Sequence, residues 1–256
     1  MAADPGLDQS KFEILLRLGD NCLILSHRLS EWCGHGPIIE EDLALTNVAL
    51  DLIGQTRLWL DYAGEIEAKG RDADALAYRR DVWDFHNVWL VEQQNGDFAD
   101  TMARQFYFDA WHKLVLQGLC ASTDERIAAI AEKALLEVRY HLDRSEAWVK
   151  TLGDGTEESH QRMQRAIDRL WPYAGELFTE DEHDRKAAEA GITPSPASLR
   201  QAWTEQVSTV LKQATLSLPD DPYVHRGGKT GTHTEHLGYI LADMQFLQRA
   251  YPDARW

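Results

Sequence analysis

Two of the helices in a helical bundle that holds a pair of iron atoms each carry a glutamate three residues before a histidine, and both side chains point into the core. Residues 137–141 read Glu-Val-Arg-Tyr-His, so His141 is present and the position three before it is Val138. Ile127, Ala131, Ala134, Val138, His141, Ser145, Trp148 and Leu152 recur at alternating steps of three and four, which puts His141 and Val138 on one apolar helix face. Glu137 falls on the flank of that face. A single imidazole on an apolar stripe is most simply a hydrogen-bonded core histidine, because a metal site needs several converging donors. Asp109 shares a face with Met102, Phe106 and Leu116. It reads as a buried aspartate bonded to a neighbour, His141 or a tyrosine, with a surviving metal ligand as the alternative. Asp51 lies beside an apolar stripe, but three residues on stands Gly54 rather than histidine. Asp51, Asp109, Val138 and His141 are therefore degenerate positions of such a site. No metal ligand set and no catalytic residue is expected in this chain.

Other short patterns are weaker. Glu157/His160 and Glu180/His183 have the Glu-x-x-His spacing but fall in the first turns of polar helices, where a bundle site cannot be built. Gly228-Lys229-Thr230 resembles the end of a phosphate-binding loop, yet Tyr223 stands where the first glycine belongs. The loop around Arg226 and Lys229 is locally basic and opens a helix, a geometry able to meet anions. Arg185 and Lys186 form a second basic spot. His233 and His236 share a helical face, but two ligands do not make a metal site. The aromatic segment Phe85-His86-Asn87 precedes a turn and is a further candidate for a ligand- or partner-facing surface.

Helices must position these groups. Apolar periodicity and stop signals predict long helices over residues 11–33, 40–68, 98–120 and 122–152. Further helices are expected over 157–177, 180–190, 198–216 and 232–251, a short one over 72–78, and a helix over the aromatic run 82–93. The architecture expected is all-α, a four-helix bundle with additional C-terminal helices, in one domain over 1–256 with a flexible N-terminus over 1–10. The chain has 256 residues, 44% hydrophobic and 27% charged, with a formal charge of −16. That charge disfavours nonspecific binding to nucleic acid or to an anionic membrane. Three widely spaced cysteines give neither a disulfide framework nor a zinc site, which fits a reducing cytoplasm. The first residues lack the apolar segment of a signal peptide, and Arg17, Asp20 and Arg28 interrupt the first apolar run, so no membrane span is expected. Nine tryptophans are many for this length, and tryptophan is enriched at protein interfaces.

A set of segments carries a resemblance that covers nearly the whole chain. They are Leu18-Gly-Asp-Asn-Cys22, Ser30-Glu-Trp-Cys-Gly-His35, Asp42-Leu-Ala-Leu45, Asp51-Leu-Ile-Gly-Gln55, and Val91-Glu-Gln-Gln-Asn-Gly96 with Phe98-Ala-Asp100. Asp109-Ala-Trp-His112, Arg139-Tyr-His-Leu142, Gly227-Gly-Lys229 and His233-Thr-Glu-His-Leu237 complete the set. Together they resemble the non-catalytic C subunits of bacterial phenylacetyl-CoA epoxidases, which are multicomponent ring-epoxidising monooxygenases. The resemblance implies a ferritin-like fold with no cofactor in this chain. It also implies pairing with a homologous catalytic A subunit that holds a di-iron centre, alongside further small and reductase subunits. Two alternatives stay open. One is a di-iron oxidase with unusual ligands drawn from Asp51, Asp109, Glu137 and His141. The other is a subunit that also touches the CoA ester, whose phosphates Arg185, Lys186, Arg226 and Lys229 could meet.

Overall fold

The computed structural model describes residues 5–220, 223–252 and 254. Among these there is no strand, and the elements are ten α-helices with short 3-10 turns. Two compact units divide them. One is built from the residues up to Gln94 and those from Gly227 on, the other from Asn95–Arg226.

In the first unit, α1 (Pro5–Ser30) and α2 (Ile39–Glu67) are a long antiparallel pair. Thr56 Oγ1 donates to the Gly19 carbonyl, and Cys22 Sγ donates to Gln55 Oε1. The sequence puts Leu15, Leu18, Cys22, Leu25, Leu29 and Trp32 on one apolar stripe and Leu45, Ala49, Leu52, Thr56, Trp59, Ala63 and Ile66 on another; all are buried except Trp32 and Ile66 at the ends, which are half-buried. Two differences from expectation appear. Helix α1 starts at Pro5, so residues 5–10, expected in a flexible N-terminus, form its first turns, with Ser10 buried. Residues 1–4 of that expectation lie outside the described residues. The second difference is that α1 is buried on almost every side, not on one stripe. Helix α3 (Ala73–Tyr78) follows, capped by Asp72. The expected helix over 82–93 is instead a 3-10 turn, an extended stretch, and the single turn α4 (Trp89–Glu92).

The second unit opens with α5 (Phe98–Leu119) and α6 (Glu125–Gly153), antiparallel across a short connection. Asp97 and Asp124 cap their N-termini by accepting the first free N–H groups. Helix α7 (Glu157–Ala174) is capped by Thr156 and tightens into a 3-10 turn over Gly175–Phe178. Helices α8 (Glu182–Glu189) and α9 (Pro196–Gln213) complete the unit. Helix α10 (Glu235–Ala250) belongs to the first unit. The class is all-α and ferritin-like, and each unit holds one pair of long antiparallel helices, with α7–α10 following them in the chain.

Candidate functional site

The cluster expected from helical spacing forms within the second unit. Asp109 on α5 is fully buried, and so is Val138 on α6; His141 and Ser145 lie beside Val138 on the same buried stripe. Asp109 Oδ1 accepts from Gln105 Nε2 at 2.8 Å, and its Oδ2 accepts from Ser145 Oγ at 2.9 Å. Its hydrogen-bond partners are thus a glutamine one turn back and a serine across the helix pair. Burial raises the Asp109 carboxyl to about 6, against the opposing pull of the His141 imidazole and the two hydrogen bonds. His112 is one turn further along α5, buried, with its ring 5.1 Å from that of Phe108. Neither of its ring nitrogens has a hydrogen-bond partner among the described residues. Burial, with His141 nearby, pushes His112 down to about 3, so its ring is neutral and packed as an aromatic.

A di-iron centre needs four carboxylates and two histidines converging on one space. Here one carboxylate has both oxygens taken by Ser145 and Gln105, and Val138 puts hydrocarbon at the position three before His141 where a Glu-x-x-His pair has its glutamate. Among the described residues of α5 and α6, Asp109 is the one buried carboxylate. Among the described residues no three of His, Cys, Asp or Glu stand where they could hold a metal. Glu137 is half-buried on the flank, as its spacing indicated. Asp51 is half-buried on α2, in the first unit. The two Glu-x-x-His pairs serve local structure. His160 Nδ1 bonds the Gly153 carbonyl at 2.6 Å, and Glu180 accepts from Ser195 Oγ and from the Ala197 N–H.

The candidate segment Phe85-His86-Asn87 and the glycine loop with Lys229 meet in the first unit. His86 Nδ1 lies 3.3 Å from the Lys229 carbonyl and 3.2 Å from Glu13 Oε2. Phe85 and Asn87 are fully buried and present no surface, whereas His86 stays partly open. The join is tight: a Cβ on Gly228 would lie 2.1 Å from the Asn87 carbonyl oxygen. Beneath it, Glu92 and His233 form a fully buried hydrogen-bonded pair, His233 Nδ1 to Glu92 Oε1 at 2.6 Å and His233 Nε2 to the Phe85 carbonyl at 2.8 Å. Asn87 Nδ2 and the Thr234 N–H and hydroxyl also donate to Glu92. His233 thus closes a loop and has no nitrogen left for a metal shared with His236. Arg226 is exposed, and so are Arg185 and Lys186 on α8, where Lys186 pairs with Glu182 at 2.7 Å.

One feature lies outside every motif. Helix α2 carries a second apolar stripe, opposite its buried one: Ile39, Leu43, Leu50 and Ile53, exposed by 72, 59, 60 and 42%. Their spacing of four, seven and three residues is a helical face in its own right, so the signal stands in the sequence beside the buried stripe.

Comparison with known proteins gives two findings. A family model described as "Phenylacetic acid catabolic protein" matches residues 3–256. The chain is also similar to the C subunit of the 1,2-phenylacetyl-CoA epoxidase of Escherichia coli (strain K12). The two are 52% identical over 241 residues, covering 94% of this chain and 97% of that protein.

Proposed function

The chain belongs to the phenylacetic acid catabolic protein family, and from that premise we propose that it is a structural, non-catalytic subunit of a cytoplasmic monooxygenase complex that epoxidises the ring of phenylacetyl-CoA. Its partner in this reading is a homologous subunit that holds a di-iron centre, with smaller and reductase subunits completing the assembly. The observation that carries the non-catalytic part is the core of α5 and α6, where Asp109 is engaged by Ser145 and Gln105 beside Val138. The relative named as an epoxidase subunit supports the assembly and the substrate. The outer stripe of α2 supports a protein partner. Its four large apolar side chains run over about 21 Å of helix, a length suited to one side of an interface burying roughly 800 Å² per partner. No described helix is long and apolar enough to cross a membrane, so a bilayer span does not account for that face.

The test is co-purification with a tagged catalytic subunit from the same genome, using the full chain and a Leu50→Glu/Ile53→Glu variant. The full chain is expected to co-purify in fixed ratio and the variant to be lost. Both positions are exposed, so the variant's stability should stay within about 0.5 kcal/mol of the original for each substitution. A chain that never co-purifies, or that epoxidises phenylacetyl-CoA alone, overturns the proposal. Full retention of the variant removes α2 as the docking face.

A further inference from the structure

The second unit holds a pocket that the proposed subunit role does not use. It is lined by Trp203 on α9, by Phe178 at the end of the 3-10 turn after α7, both buried, and by Trp171 and Tyr223. The pocket, partly open to solvent, has a volume of about 120 Å³. Its aromatic walls are held in place. The Trp203 Nε1–H donates to the Tyr107 carbonyl at 3.0 Å, which fixes the indole plane. The Trp203 ring centroid lies 5.7 Å from that of Trp171 and 5.2 Å from that of Phe178. The segment carrying Tyr223 is pinned beside them. The His225 N–H donates to the Pro172 carbonyl at 2.9 Å, and the His225 ring stacks on Tyr173 at 4.4 Å. Gly175 makes that approach feasible, since a Cβ there would stand 2.5 Å from Val224 Cγ2.

At the mouth is Arg200. Its guanidinium sits over the Phe178 ring, 5.4 Å from the centroid. Among the described residues no carboxylate pairs with it, although the chain has 42 acidic residues against 26 basic ones. A guanidinium presents a planar fork of donors that matches a carboxylate. An aromatic box with such a fork at its rim is complementary to a molecule that carries both a ring and an anion.

We propose that this pocket binds a small monocyclic aromatic carboxylate. The ring packs against the wall made by Trp171, Trp203 and Phe178, and the carboxylate accepts from Arg200. Size sets the class: an apolar cavity of about 150 Å³ takes one benzene, so about 120 Å³ with an open mouth takes a single ring whose carboxylate remains at the rim. A fused ring system or a nucleotide is too large. The proposal does not depend on the subunit role, because it rests on residues of α7, α9 and residues 223–225 rather than on the core cluster or on α2.

The experiment is titration of the purified full chain with phenylacetate, followed by calorimetry and tryptophan fluorescence, with benzylamine and acetate as controls. Saturable binding of phenylacetate is expected, with none for benzylamine or acetate. Arg200→Gln, at an exposed position, should weaken it by about tenfold or more, the effect of one charge-assisted bond pair. Thr204→Trp, which fills the pocket from its wall, should abolish it while the circular dichroism spectrum is unchanged. Absence of saturation with phenylacetate, equal binding of benzylamine, or an Arg200→Gln variant that binds like the original each overturns the proposal.

Discussion

Replacing Asp109 by asparagine should change how stability depends on pH, and the structure fixes the sign. The folded Asp109 carboxyl is raised from 3.8 to about 6 by burial. Its contribution to stability is therefore full below pH 3.8 and is lost as pH rises through about 6. At 1.36 kcal/mol for each pH unit between the two values, the loss is about 3 kcal/mol. His112 works in the opposite direction. Burial lowers it from 6.5 to about 3, so its contribution is full above pH 6.5 and is lost as pH falls through about 3, by about 5 kcal/mol. Between pH 3.8 and 6 the two slopes oppose each other and nearly cancel. Asp109→Asn removes one of them. The amide introduced has an acceptor at hand, since Gln105 Oε1 has no partner among the described residues. The assay is urea unfolding of both proteins from pH 4 to 8, read as the difference between them so that all other titrating groups cancel. The variant should gain on the original by about 3 kcal/mol between pH 4 and 6 and hold that gain above. A difference that is flat, or that turns against the variant as pH rises, would refute the reasoning. It would mean that the carboxylate is held as a favourable anion, as a ligand or a paired charge is.

Two further outcomes concern the first unit. Glu92→Ala removes the buried acceptor of His233 Nδ1 and of the Asn87 and Thr234 donors and should cost about 1–3 kcal/mol in urea unfolding; an unchanged stability would contradict the pairing. Gly228→Ala drives a Cβ into the Asn87 carbonyl. A destabilisation of about 1–3 kcal/mol with faster proteolysis of the 225–234 loop is expected, and an unchanged cleavage pattern would show that the two segments are not in contact.

The long helices are legible in the sequence because their stripes and caps lie close together along the chain. Asp97, Asp124, Thr156 and Asp181 mark helix starts by local chemistry alone. The region 82–93 is not legible, and the reason is a pair of side chains far away. Asp20 Oδ2 accepts the His86 N–H and Asn21 Oδ1 accepts the Val88 N–H, both at 2.9 Å. Alternate N–H groups aimed one way hold a chain extended, so tertiary bonds replace those a helix would have made. By spacing, Asp20 lies off the apolar face of α1, yet it is fully buried against Arg80, sixty residues on. Periodicity cannot see such a pairing. At the core cluster the sequence carries the burial of His141, Val138 and Asp109, because helical spacing decides which way a side chain points. It does not carry the identity of the Asp109 partners, because Gln105 and Ser145 are ordinary residues on ordinary faces. The pocket of Trp171, Phe178 and Trp203 is hidden for a different reason, and the α2 surface stripe, though periodic in the sequence, cannot be told from a core face: an apolar residue counts toward a core until burial shows which side it faces.

We propose that the core of α5 and α6, where Val138 is buried and both Asp109 oxygens are hydrogen-bonded, holds no paired iron. Iron analysis of the purified chain after anaerobic loading with ferrous iron and desalting addresses it directly. The account predicts iron far below one atom per chain. Two atoms per chain retained through desalting would contradict it.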